Sequence, residues 1–377
     1  MKVGILTFHF SDNYGALFQS YGLKQYLESL GCNVEFVNYH PDYIEAGGRL
    51  NLSKLFSMAN LKALYLIASG FLNKLISPGD YLAAMERFRV DVLGSSGKEY
   101  KEGQDISEAF SKYDLLICGS DQIWNPSVQY GVDPVYFLRC NKSLNVRKIS
   151  YAPSFGSDAL GSEYRSEVAA LLRGLDAISV REASGADIVE GLIGNRPVVV
   201  PDPTIISGGF ESIMKPMDDV SDNHRYCFLY NLRTNDGVPE ACEFLKKEGM
   251  EVLEVHNPHR RWKASGRIVY PTPEQWLYLH KKSEFVITNS FHGVALSIVN
   301  KRPFAYLSLK GGRAKMNARA YNLIRSCGLE QRIVSEDNPI AKVFGTEIDW
   351  SEVERRETLL RNTGQEFLKE QLELAKK

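Results

Sequence analysis

The chain carries almost no net charge: 45 lysines and arginines stand against 46 aspartates and glutamates, a formal −1 over 377 residues. No field of one sign exists to drive counterion release, which argues against nucleic acid as a partner. Any phosphate-bearing ligand must be met by a local group of cations. Cysteine is scarce and scattered. Cys32, Cys118, Cys140, Cys227, Cys242 and Cys327 include no C-x-x-C pair, and the histidines form no cluster at zinc spacing. Neither a metal site nor a disulfide framework is expected. Long apolar runs are missing too. Within the hydrophobic segment 50–76 the longest charge-free stretch runs only from Ala63 to Asn73, far short of the ~20 residues a spanning helix needs. The opening Val3-Gly4-Ile5-Leu6-Thr7-Phe8 is too short for a signal-peptide core, so cytoplasmic residence is the expectation.

What is present is a repeated alternation. Short apolar, β-branched runs at 2–8, 33–38, 114–118, 148–152, 176–180, 197–201, 226–230, 251–255, 284–288 and 303–309 are separated by helical stretches. That is the pattern of parallel sheets with helical crossovers. Between the first two runs, Leu17, Tyr21, Leu23, Leu27 and Leu30 stand at helical spacing and Gly31 closes the helix. The strands fall into two sets, which predicts an α/β protein of two Rossmann-like domains, 1–178 and 179–348. A helical insertion lies at about 50–90, and a long amphipathic helix over 349–377 is marked by Val353, Leu360, Phe367 and Leu374. The segment 50–76 interleaves Leu55, Phe56, Leu61, Leu64 and Phe71 with Lys54, Lys62 and Lys74. Two readings fit it: a helical pair packing on its own domain, and a peripheral contact with a membrane interface.

Three polar groups follow predicted strands, where open α/β sheets gather ligands. The first contains Asn13, Tyr14 and Gly15, ahead of a helix whose N-terminus offers N–H groups. It has no G-x-G-x-x-G, so dinucleotide binding has no support, and Asn13 and Gly15 also suit a turn and a cap. The second, Cys118 to Pro126, holds Ser120, Asp121, Gln122, Trp124 and Asn125. Hydroxyl, carboxylate, amide and aromatic face suit a sugar, and Asp121 suits a proton acceptor; a structural turn is the competing account. The third places Asn289, Ser290, His292 and Gly293 between a strand and an apolar helix, which sets His292 beside N–H donors suited to a phosphate. Cations recur after strands as well: Arg181, and the group Lys310, Arg313 and Lys315, each readable as an anion holder or as surface charge.

Taken together, Asn13-Tyr14-Gly15-Ala16-Leu17-Phe18-Gln19, Gly119-Ser120-Asp121-Gln122-Ile123-Trp124-Asn125 and Ser150-Tyr151-Ala152-Pro153-Ser154-Phe155-Gly156 resemble the polysaccharide pyruvyl transferase family. So do Ser179-Val180-Arg181-Glu182, Pro201-Asp202-Pro203-Thr204 and Ser290-Phe291-His292-Gly293, with Pro303 and Lys310 beyond. The resemblance implies a GT-B-like pair of domains facing across a cleft, an acceptor side in the first and a donor side in the second. It also implies that the last helix returns to the first domain. The implied reaction moves the three-carbon unit of phosphoenolpyruvate onto two hydroxyls of a saccharide, lipid-linked or free, with no metal or organic cofactor.

The family's histidine falls on His292; Phe291 stands where a basic residue is frequent. On this reading His292 is the acid or phosphate partner, and Asp121 works on the acceptor hydroxyls. Arg181, Asn289, Ser290, Gly293, Lys310, Arg313 and Lys315 hold the donor, and Asn13, Tyr14, Gly15, Ser120, Gln122, Trp124 and Asn125 hold the acceptor. Two rivals stand beside it: a GT-B glycosyltransferase using a nucleotide sugar, and a non-catalytic glycan-binding relative.

Overall fold

The computed structural model describes residues 1–45, 79–207, 209–220, 224–232, 234–257 and 262–376. The proposed membrane contact at 50–76 lies outside them, as does the insertion up to residue 78. The described chain separates into two compact units, one of residues 1–45, 85–207 and 362–376, the other of 79–84 and 209–361. Sequence periodicity places that division at 178. It falls after 207 because β5 (Ser179–Val180) and β6 (Val198–Val199) pair only with each other, while Ala177 bridges to Ile149 in the first unit. Residues 79–84, expected in the first domain, belong to the second unit, where the Tyr81 ring meets His256 edge-on.

The first unit is built on a parallel sheet ordered β2-β1-β3-β4, with β1 Lys2–Leu6, β2 Asn33–Phe36, β3 Leu115–Cys118 and β4 Arg147–Ser150. Val3 lies opposite Val34 on one side and Leu115 on the other. Val3, Ile5, Leu6 and all of β3 are buried, as unbroken apolar strands covered on both faces must be. The helix Tyr14–Ser29 links β1 to β2, started by Asn13, whose Oδ1 accepts from the backbone N–H groups of Gly15 and Ala16. Because the chain next runs to the opposite side of β1, the direction of strand addition reverses between β1 and β3. The crevice beyond their carboxyl ends is this sheet's topological switch point.

The second unit repeats the plan with six parallel strands ordered β12-β11-β10-β7-β8-β9. These are β7 Tyr226–Tyr230, β8 Glu251–Val255, β9 Arg267–Val269, β10 Phe285–Thr288, β11 Phe304–Leu307 and β12 Ile333–Val334. Cys227, Leu229, Val252, Phe285, Ile287 and Ala305 form part of its core. The crossover helix Pro273–Lys282 has Pro273 at its first turn and a reciprocal Thr272/Gln275 cap, and it leads from β9 to β10 on the far side of β7. The switch point therefore lies between β7 and β10. All ten strands expected from the sequence are present; β9 and β12, the outermost strands of the second sheet, are additional to them.

The final helix runs Trp350–Leu374, and from residue 362 it belongs to the first unit. There Phe367 packs on Tyr151, and a Cβ on Gly364 would stand 2.5 Å from the Tyr151 hydroxyl. Its covered stripe passes through Val353, Glu357, Gly364, Phe367 and Gln371, leaving Leu374 exposed. A straight helix drifts about 20° per heptad, so a residue three heptads from Val353 has rotated off the buried face.

Candidate active site

At the first switch point the strand ends are locked together by buried polar groups. The Gln19 amide donates to Thr7 Oγ1 at 2.9 Å, Thr7 Oγ1 donates to the Ser120 carbonyl at 3.1 Å, and the Ser120 N–H donates to Gln19 Oε1 at 3.3 Å. Gly119 takes a φ of 124°, and a Cβ there would fall 2.0 Å from the Tyr151 carbonyl oxygen, so the turn after β3 accepts only glycine. Beneath it sits Arg181, 4% exposed, among three carboxylates: Asp202 at 2.9 Å, Glu182 at 3.7 Å and Asp121 at 3.9 Å. Burial opposes its charge, yet the combined attraction of the three acids holds the guanidinium above its ordinary pKa.

Two of the acids also fasten neighbouring motifs. Asp202 Oδ2 lies 3.1 Å from Ser120 Oγ and its Oδ1 accepts from the N–H and hydroxyl of Thr204. Glu182 Oε1 accepts from Ser154 Oγ at 2.6 Å. Arg181 thus ties the loops after β3, β4, β5 and β6 within the first unit. Arg181, expected from the sequence to hold a donor anion, is placed by the structure among three carboxylates. Of those three only Asp121 reaches the surface, its side chain 16% exposed.

The remaining acceptor-side candidates divide. Trp124 is 1% exposed, its ring stacked on Phe137 at 4.9 Å and its Nε1 donating to the Tyr136 carbonyl, so it is a core residue and offers no face to a sugar. Asn125 caps the helix Pro126–Gln129 through Ser127 and donates to Gln122 Oε1 at 2.8 Å. Tyr14 and Gly15 are buried in the first helical turn, while the capping Asn13 and its neighbour Asp12 are exposed. Arg89, in the helical turn Phe88–Val92, grips Asp12 at 2.8 Å and Glu86 at 2.7 Å. Asp121 and Asn13 are therefore the predicted groups this crevice presents to solvent.

At the second switch point three asparagines interlock. Asn289, following β10, accepts from the Leu232 N–H at 2.8 Å and donates to Asn231 Oδ1 and to the Thr234 carbonyl. Asn257, following β8, donates to the carbonyls of Asn231 and Leu232, both at 2.9 Å. Asn289 is thereby spent on shaping the crevice. Asn231 and Asn257 were not singled out from the sequence, although each stands within two residues of the end of a correctly expected strand; which strands neighbour one another is the missing knowledge.

The helix Phe291–Val299 starts after Ser290, whose N–H donates to Thr288 Oγ1 at 3.0 Å. A Cβ on Gly293 would meet Thr288 Oγ1 at 2.2 Å, so glycine is what lets this first turn close onto β10. His292 lies in that turn, 8% exposed, with Phe291 edge-on to it. Lys310, Arg313 and Lys315 are exposed beyond the carboxyl end of β11, the strand beside β10. Their turn is anchored by Asn317, which bonds both the N–H and the carbonyl of Leu309. His280 differs from His292: fully buried, bonded to Ser297 and Asn300 and stacked on Trp276, it is pushed down to about 3 by loss of solvent. Among the described residues no set of three His, Cys, Asp or Glu side chains is placed to hold a metal ion.

The sequence model of the family described as polysaccharide pyruvyl transferase matches residues 13–311. No curated protein matches the chain. Among solved structures it is similar to the UDP-GlcNAc 2-epimerase from Neisseria meningitidis bound to UDP-GlcNAc, at 8% identity over 99% of this chain and 100% of that one, TM-score 0.51. It is also similar to the UDP-N-acetylglucosamine 2-epimerase from Rickettsia bellii, at 9% identity over 100% and 97%, TM-score 0.48. At such identities the likeness speaks for the fold alone, which is GT-B-like.

Proposed function

The chain belongs to the polysaccharide pyruvyl transferase family, and from that membership we propose that it builds a pyruvate ketal on a saccharide, with phosphoenolpyruvate as donor. The observation that carries the reading is the match of family motifs to carboxyl-end loops. Those around Asn13, Asp121 and His292 lie at the two switch points, where the direction of strand addition reverses. Family membership brings a transferase and a saccharide acceptor; the donor, the ketal and the residue roles are our reading.

Phosphoenolpyruvate is an enol phosphate ester. Protonation of its methylene carbon makes C2 electrophilic, one sugar hydroxyl adds and gives up its proton, and the C2–O bond to phosphate breaks. The second hydroxyl then closes the ring and releases its own proton. One proton is taken up at carbon, two leave the hydroxyls, and one leaves with phosphate. The work needs an acid, cations for the donor's carboxylate and phosphate, and a base for the hydroxyls. In this assignment His292 supplies the acid or phosphate contact. Lys310, Arg313 and Lys315, three exposed cations beyond β11, hold the donor with Ser290 and the helix N-terminus at Gly293. Asp121, the partly exposed acid of the first crevice, takes the hydroxyl proton, and Asn13 contacts the sugar.

Among the described residues no helix is long and apolar enough to cross a membrane. The cytoplasmic setting is part of the proposal and is supported by six free cysteines, which suit a reducing compartment.

Incubation with phosphoenolpyruvate and a glycan panel, read by phosphate release and by the mass gain of one pyruvyl unit, tests the reading. His292→Ala is expected to lower turnover at least a hundredfold with an unchanged circular dichroism spectrum. Turnover with a nucleotide sugar and none with phosphoenolpyruvate would sink it in favour of a glycosyltransferase. Glycan binding with neither donor used would favour a non-catalytic relative.

A further inference from the structure

A second concavity lies in the first unit, beside the edge strand β2. It has a volume of about 560 Å³ and is walled by segments around Tyr39 and Tyr43, 102–106 and 129–141. That size falls within the range of pockets that enclose small organic ligands, about 300 to 1,000 Å³. Its organising group is Asp133. One carboxylate oxygen accepts from the hydroxyls of both Tyr39 and Tyr43 at 2.6 Å, and the other accepts from the Val135 N–H at 2.9 Å. These charge-assisted bonds lock the two phenol rings, both buried, into a rigid floor beneath the hollow. Charge then selects the ligand. The charged side chains of the lining are Glu102, Asp105, Asp133 and Arg139, three acids and one base, so it offers no cluster of cations to phosphate, phosphoenolpyruvate or a nucleoside diphosphate. Exposed polar side chains, Glu102, Gln104, Asp105 and Asn141, set over a rigid floor without a cluster of cations suit a neutral polyhydroxylated ligand.

The hollow also continues the loop that carries Asp121. Trp124 donates to the Tyr136 carbonyl at 3.0 Å, the Gln129 amide donates to the Ile123 carbonyl, and the Asp133 N–H donates to Gln129 Oε1 at 3.1 Å. The wall of the hollow and the segment after Asp121 are therefore one hydrogen-bonded piece.

We propose that this hollow is a saccharide subsite, holding a neutral sugar residue of the acceptor other than the one that receives the pyruvyl group. The inference rests on the reading of a saccharide acceptor given above, and it adds a length preference: an oligosaccharide binds more tightly than its terminal unit. The rim residues Glu102, Gln104 and Arg139 are exposed, so they can be changed without touching the core.

The test uses saturation-transfer NMR on the full chain, without donor, against neutral tetrasaccharides of glucose, galactose, mannose and N-acetylglucosamine and their monosaccharides. At least one tetrasaccharide is expected to bind at least tenfold more tightly than its monosaccharide. Both the double variant Glu102→Ala/Arg139→Ala and the space-filling Gln104→Trp are expected to remove that advantage. Failure of every tetrasaccharide to bind, or binding within twofold of wild type in both variants, overturns the proposal. Phosphate release from phosphoenolpyruvate is measured separately. Turnover with no effect at the hollow leaves the pyruvyl-transfer reading intact and removes the subsite. Variant-sensitive glycan binding without turnover keeps the subsite and removes that reading.

Discussion

Replacing Arg181 by methionine removes the cation that three carboxylates share. The side chain is 2% exposed, and Asp202, its partner at 2.9 Å, is wholly buried. Around Asp202, Arg181→Met leaves in place the Ser120 hydroxyl and the N–H and hydroxyl of Thr204, neutral donors that do not cancel a charge. Breaking a buried pair from one side costs about 3 to 5 kcal/mol, and two further acids within 4.0 Å argue for the upper half of that range. With a urea dependence of about 2 kcal/mol per molar, a loss of ~4 kcal/mol moves the midpoint down by about 2 M. The two units need not unfold together, and that supplies an internal control. Hydrogen exchange should accelerate in peptides spanning β3 and β5 and stay unchanged in those spanning β7 and β10. Asp202→Asn in the Arg181→Met background should cost about 2 kcal/mol less than the sum of the single changes, because the Arg181–Asp202 pair is already broken. A midpoint shift below about 0.5 M, or additivity in the double variant, refutes the account. A raised KM for phosphoenolpyruvate with unchanged stability would return Arg181 to the role of anion holder.

Other outcomes follow from the same contacts. His9 and His280 are each pushed down to about 3, first of all by burial, whereas the unfolded chain protonates them near 6.5. Their stabilising effect is full above pH 6.5 and is lost as pH falls toward 3, at about 1.4 kcal/mol per pH unit for each histidine. Urea midpoints at pH 7 and pH 5 should differ accordingly, with His280→Gln removing the dependence from the second unit and leaving that of the first, which holds His9; a flat profile contradicts this. Gly293→Ala sets a Cβ 2.2 Å from Thr288 Oγ1 and should cost about 1 to 3 kcal/mol by overpacking, seen as a lower melting temperature with a raised KM for the donor. Trp124→Ala should cost about 3 to 5 kcal/mol, while Trp124→Phe leaves the acceptor KM within twofold; a larger change would restore the sugar-stacking role.

How much of this the sequence discloses depends on whether a property is local. The strands are local. Leu115-Leu116-Ile117 and Val286-Ile287 read as buried runs and prove to be so, and polar residues after them mark the carboxyl ends. Strand order is not local. That Thr7 bonds Ser120, or that Asn289 bonds Asn231, follows from which strands become neighbours after crossovers of many residues, and periodicity is silent on that. Charge partners are the extreme case. Arg181 and Lys310 read alike, each a cation just beyond a strand, yet one is enclosed by Asp121, Glu182 and Asp202 and the other is exposed. The three acids lie 60 positions before, one after and 21 after the arginine in the chain, so no window of sequence contains them together.

The same distinction separates Trp124 from Asp121. An aromatic and a carboxylate three residues apart look like one sugar-binding kit, but a turn after β3 sends the indole onto Phe137 and leaves the carboxylate partly in water. Residue type tells which chemistry is available at a strand end. The packing of the loop decides which of those groups is left to perform it, and in the first crevice that leaves Asp121.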